Sequence, residues 1–94
     1  MRKIAPDRLY RALLSLQTLE ECDAFLQDLL TPGELEDVIQ RLEVAYILAQ
    51  GGTYEAAAEQ TSASATTISR VRRALYRGAG GYRMLLDRLE GGNR

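Results

Sequence analysis

Apolar residues recur along this chain at intervals of three and four, and nothing alternates with the period of two that a strand needs. The chain therefore reads as all-α, with five or six helices. Leu9, Leu13 and Leu16 share one side of a first helix over about Asp7 to Ser15, and Tyr10 and Leu14 add a second apolar edge. Thr18, with Glu21 three residues on, has the form of a capping box. It opens a second helix in which Leu19, Cys22, Phe25, Leu26, Leu29 and Leu30 keep the helical period. Thr31, Pro32 and Glu34 mark a third start, with a hydroxyl N-cap, proline at the first helical position and a carboxylate at the third. This helix runs to about Gln50 and stops at Gly51-Gly52. Leu35, Val38, Ile39, Leu42 and Ala49 are joined on it by Val44, Ala45, Ile47 and Leu48, so it is apolar around most of its circumference and must be covered on several sides. In a chain of 94 residues, a partner subunit is the expected cover.

The pattern then changes. Residues 53–76 read as two short helices joined by a tight turn, the second crowded with arginine. Two helices that cross steeply need very small residues where one passes over the other, and Ala56, Ala57 and Ala58 supply them. Thr53 caps the first of the pair. Ser62, Ala63 and Ser64 fit the turn, with Ser64 as N-cap of the second helix and Ile68 and Val71 facing back toward the first. Ser62 stands where glycine is the usual residue, because the turn calls for positive φ. The other face of the second helix begins with Ala65, Thr66, Thr67 and Ser69. Small hydroxyl and methyl groups there allow a helix to sit deep in a DNA major groove and meet base edges or thymine methyls. Arg70, Arg72, Arg73 and Arg77 follow, placed for phosphate contact. The plainer alternative is an ordinary helical hairpin with a solvated arginine face. Gly78, Gly80 and Gly81 precede a last helix over about Tyr82 to Glu90, with Tyr82, Leu85, Leu86 and Leu89 on one face, and residues 91–94 read as a frayed tail.

Charge sharpens this division. The net charge is −1, but residues 1–52 carry five basic against nine acidic side chains, and residues 53–94 carry seven arginines against four carboxylates. A reading surface is thus expected in the second part only, with weak non-specific DNA binding overall. The absence of histidine removes imidazole acid/base chemistry and His metal ligands, and the carboxylates fall at caps and on helix faces, so no enzyme, cofactor or metal site is expected. The single cysteine, Cys22, excludes an intrachain disulfide and reads as a small core residue in a reducing compartment. No apolar run reaches membrane-spanning length, and the opening MRKIAPDR lacks a signal-peptide core, so a cytoplasmic location is expected. No linker or repeat divides the chain, which reads as one domain over 1–94.

These residues also carry a family resemblance. Leu29-Leu30-Thr31-Pro32 with Glu34-Leu35, Gln40-Arg41-Leu42-Glu43-Val44, Thr53-Tyr54-Glu55 and above all Ala65-Thr66-Thr67-Ile68-Ser69-Arg70 resemble the Trp-repressor superfamily. The run Thr67-Ile68-Ser69-Arg70-Val71 and Gly80-Gly81-Tyr82 are similar to its YerC/YecD branch. The resemblance implies a six-helix, helix-turn-helix protomer intertwined with a second copy through its N-terminal and last helices. Two reading heads would then enter successive major grooves of a near-palindromic site on double-stranded DNA. It also implies an effector pocket at Arg41 and Arg70, the positions of the two arginines that clamp tryptophan in the repressor. The glycine after the second arginine is Val71 here, however, and a small serine further along is Ala74. Glu55 and Ala58 replace basic residues of the first reader helix. Tryptophan is therefore not expected as corepressor, and a salt bridge from Arg41 to Glu43 or Asp37 is an equal reading of that residue. The function expected is a homodimeric, sequence-specific transcriptional regulator, acting as a repressor. The alternative is a protein-interaction adaptor that uses the same helices as a docking face.

Overall fold

The structure, a computed structural model, describes residues 4–91. It consists of helices α1 (Asp7–Ser15), α2 (Leu19–Leu29), α3 (Pro32–Ala49), α4 (Tyr54–Thr61), α5 (Ala65–Arg77) and α6 (Gly81–Gly91), with no strand among the described residues. Of the expected tail, Gly91 closes α6 and residues 92–94 lie outside the described residues. The described residues divide into two compact units, one up to Leu35 and one from Glu36 onward.

In the first unit the helix starts are set by local hydrogen bonds. The Thr18 hydroxyl accepts from the Glu21 N–H at 3.0 Å, while the Glu21 carboxylate reaches one residue further back than a reciprocal box requires and accepts from the Gln17 N–H at 2.9 Å. At α3 the box is reciprocal: the Glu34 N–H donates to the Thr31 hydroxyl at 3.1 Å and the Thr31 N–H to the Glu34 carboxylate at 2.9 Å. The backbone donor at Thr31, and then its hydroxyl, hold the Glu34 carboxyl below the usual glutamate range. A folded-state pKa depressed in this way means that the box contributes above the ordinary glutamate pKa and is lost as pH falls through the depressed one. Thr31→Ala removes the hydroxyl and keeps the backbone donor, so it is expected to return the Glu34 titration, followed by carboxyl-carbon NMR, only part of the way toward the ordinary range. A full return would show that the hydroxyl, and not the backbone donor, is the main cause.

Packing in this unit departs from the sequence expectation. Neither α1 nor α2 buries a side chain completely. Leu9 and Leu13, expected inside, are 40% and 43% exposed, and Leu14 is 85% exposed. Cys22, expected in a core, is a half-buried free thiol. The stripes exist, but a helical stripe is buried only where another element covers it, and a single copy of the chain leaves these partly bare.

The second unit holds the core. Val44, Ala45 and Leu48 of α3 cluster with Ala57 of α4, Ala63 of the turn, Ile68, Val71 and Leu75 of α5, and Leu86 of α6. α3 ends one residue before the expected Gln50 in a Schellman motif: the Gly52 N–H donates to the Ile47 carbonyl at 2.9 Å and the Gly51 N–H to that of Leu48 at 3.0 Å. Gly51 sits at φ +88°, which explains the glycine. Thr53 caps α4 by accepting from the Ala56 N–H at 3.0 Å. Ala57, with no exposure, is the small residue that lets α5 pack closely on α4, while Ala56 and Ala58 are half-buried. The Gln40 amide donates to the Thr61 carbonyl at 3.0 Å, tying α3 to the end of α4.

Ser62 adopts the left-handed conformation expected of the turn, with φ 60° and ψ 18°, and its N–H closes α4 on the Ala58 carbonyl at 2.9 Å. A side chain in that region is strained, and glycine removes the strain while adding freedom to the unfolded chain. Ser62→Gly is accordingly expected to raise stability by a few tenths to about 1 kcal/mol. A lower urea midpoint would show that the serine side chain contributes more than its strain costs.

Candidate nucleic-acid interface

The rotation of α5 is fixed by three inward residues. Ile68, Val71 and Leu75 are 0%, 1% and 3% exposed, at spacings of three and four. Everything on the opposite side is thereby turned outward. Ser64 caps the helix by accepting from the Thr67 N–H at 3.2 Å, so the first turn is held at the point where its exposed residues begin.

Two shallow concavities run along the outward face. One, of about 400 Å³, is lined by Ala65, Thr66, Ser69, Arg70 and Arg73. The other, of about 420 Å³, is lined by Ser69, Arg72, Arg73, Tyr76 and Arg77. Ser69 and Arg73 belong to both, so the two form one trough. It gathers three of the four residues expected to read bases and all four arginines expected at phosphates. Thr67 stands apart. It is half-buried and lines neither concavity, and its hydroxyl oxygen accepts from the Ser64 hydroxyl at 3.1 Å, which leaves its own proton free to donate.

The electrostatics are one-sided. α5 contains no carboxylate, and the sequence has none between Glu59 and Asp87. The first turn of a helix ordinarily favours acidic side chains, because unpaired N–H groups and the helix dipole make it positive. Here that end is left uncompensated and is followed by arginines, an arrangement suited to anions. The chemistry available is hydrogen bonding from hydroxyls, apolar contact from the Ala65 and Thr66 methyls, and guanidinium forks for oxyanions.

The proposed effector pair is divided between elements. Arg41 is half-buried on α3, whereas Arg70 is exposed on the α5 trough, which Arg41 does not line. Val71 is in the core and not at the trough surface. A separate groove of about 430 Å³ between α3 and the end of α4 is lined by Glu36, Ile39, Gln40, Glu43, Tyr46 and Ile47 with Gln60 and Thr61, and its charge is opposite in sign to the trough. Among the described residues no group of three or more His, Cys, Asp or Glu could hold a metal ion, and no helix is long and apolar enough to cross a membrane.

Sequence reasoning missed Tyr76. It is 55% exposed and lines the trough, three residues after Arg73 and seven after Ser69, so helical spacing could have found it. It also missed Arg83, whose guanidinium carbon lies 5.1 Å from the centroid of the Tyr76 ring. That approach depends on the turn between α5 and α6, which spacing within one helix does not reveal.

The comparisons with known proteins agree with this geometry. The Trp repressor protein family matches residues 6–90. The uncharacterized protein YerC of Bacillus subtilis (strain 168) is 48% identical over 84 residues, covering 89% of this chain and 81% of YerC. A crystal structure of a candidate Trp repressor from Staphylococcus aureus superposes with a TM-score of 0.88 at 44% identity, covering 95% of this chain and 89% of that one. A TrpR-like protein from Eubacterium eligens ATCC 27750 gives 0.86 at 42% identity, covering 90% and 88%. With the six-helix order, the capped turn and the whole of the trough inside the matched span, the chain belongs to the Trp repressor protein family.

Proposed function

We propose that this protein is a sequence-specific, DNA-binding transcriptional regulator that works as a homodimer through the α4–α5 helix-turn-helix. The observation that carries the reading is the carboxylate-free, arginine-lined trough on α5, in a chain of the Trp repressor family. Ala65, Thr66, Thr67 and Ser69 read base edges, and Arg70, Arg72, Arg73 and Arg77 hold phosphates. The apolar side chains left bare on α1 and α3 support a second copy as their cover, and a dimer would set two reading heads about one helical turn apart. Tryptophan is not expected as corepressor, because the residue after Arg70, a glycine in the repressor, is Val71 here.

The test is selection of bound duplexes from a randomised DNA pool by the purified protein, without added ligand and at near-physiological salt. A palindrome with half-sites about one helical turn apart is the expected product. Failure to enrich any sequence, with or without metabolite extract, sinks the reading and favours the adaptor role. On the selected site Thr67→Ala is expected to alter sequence preference. Arg73→Ala should weaken all duplexes alike and lower the salt slope by about one unit. Equal losses from both changes on selected and random DNA would undo the division between base and phosphate contacts.

A further inference from the structure

The trough does not end with α5. Tyr76 lies at its far end beside Arg72, Arg73 and Arg77, and Arg83 reaches it from the next helix. The turn between the helices is tight: a Cβ on Gly78 would collide with the Ala74 carbonyl, and Gly80 sits at φ +89°. α6 is then fixed by its inward residues, Tyr82 half-buried and Leu86 only 5% exposed, four apart on one face. Arg83, next to Tyr82, is thereby set on the outer side within reach of the Tyr76 ring.

Helix stability does not account for Arg83. A cation in the first turn opposes the helix dipole, so this is a disfavoured place for an arginine. Part of the offset is the Tyr76 ring, whose negative face attracts the guanidinium. The ring in turn keeps its hydroxyl for another partner, and five guanidinium groups, those of Arg70, Arg72, Arg73, Arg77 and Arg83, lie within a segment that carries no carboxylate of its own.

We propose that Tyr76 and Arg83 extend the nucleic-acid interface across the turn onto α6, forming with Arg72, Arg73 and Arg77 a seat for a DNA backbone phosphate. The assignment rests on the DNA-binding reading. Arg83 supplies charge and orients the ring, and the Tyr76 hydroxyl donates to a phosphate oxygen. The seat lies beyond the base-reading residues, so it anchors the duplex without adding sequence information.

The test compares wild type, Arg83→Gln, Arg83→Lys and Tyr76→Phe for duplex affinity from low to moderate salt, with thermal unfolding followed in parallel. Loss of one phosphate contact should lower the slope of log affinity against log salt by about 0.9 in Arg83→Gln. Between 50 and 200 mM salt the glutamine variant should therefore lose about 3.5-fold less of its affinity than wild type. Arg83→Lys should retain the wild-type slope, and Tyr76→Phe should weaken binding several-fold at every salt concentration with the slope unchanged. Wild-type affinity and slope in both Arg83→Gln and Tyr76→Phe would overturn the seat while leaving DNA binding intact. If wild type binds no duplex, the DNA reading fails, and titration with inorganic phosphate decides the seat separately. NMR shifts at Tyr76 and the Arg83 side chain would keep it as an oxyanion site, and their absence would overturn it as well.

Discussion

Ile68→Ala is expected to be among the most damaging single truncations in the chain, costing roughly 2–5 kcal/mol. Ile68 has no exposure and is among the largest fully buried side chains, together with Val44 and Val71. The cost is expected toward the upper part of that range, because the helix it faces presents Ala57, and small residues offer few atoms that could relax into the cavity. A domain of this size has a total stability on the order of 5–14 kcal/mol, so the loss is a substantial part of the whole. Ser69→Ala, one residue along, should change stability by less than about 0.5 kcal/mol, because that side chain is exposed. The neighbouring pair thus separates folding from reading. Ile68→Ala weakens DNA binding only in proportion to the unfolded fraction, while Ser69→Ala acts on DNA in a protein that remains folded. Urea unfolding at one fixed protein concentration measures both, since a dimer's stability depends on concentration. A cost below about 1 kcal/mol for Ile68→Ala would mean that α5 is not anchored through this residue.

What the sequence reveals and what it conceals divide by the range of the interaction. The caps at Thr18, Thr31, Thr53 and Ser64 and the glycine stop at Gly51-Gly52 are legible because each is decided by residues within one turn. The inward set Ile68, Val71 and Leu75 is legible because helical periodicity alone assigns it. Ser62 shows the same locality, since the turn forces positive φ whatever residue occupies it. The leucines of α1 illustrate the opposite case. Periodicity shows that Leu9 and Leu13 share a stripe, but not whether anything within one copy of the chain covers it. Thr67 and Arg83 depend on finer detail. A hydroxyl's partner follows from rotamer geometry, and the approach of Arg83 to Tyr76 follows from how two helices meet across a turn.

The pair Val38→Glu with Leu42→Glu is expected to separate folding from assembly and to abolish high-affinity binding to a palindrome. On α3, Val38, Ile39, Leu42 and Tyr46 are 42%, 54%, 38% and 43% exposed, a long helix left open on a side that is apolar by sequence. In the proposed homodimer this side of α3 is the expected association surface. If this side of α3 is the dimer interface, carboxylates at positions 38 and 42 would be buried there at a desolvation cost, but they remain in water in a single copy. The core side chains Val44, Ala45 and Leu48 are untouched, so helical content should persist while the sedimenting mass falls to that of one chain. Two half-sites bound by linked reading heads gain from effective concentration, and unlinking them should weaken binding to the palindrome by roughly 10²–10⁴-fold. An isolated half-site contacts one head only, so its affinity should not change. A variant that still sediments as a dimer would place the interface elsewhere. A wild-type protein that sediments as a monomer would remove the dimer from the proposed mechanism, leaving α5 to read a single half-site.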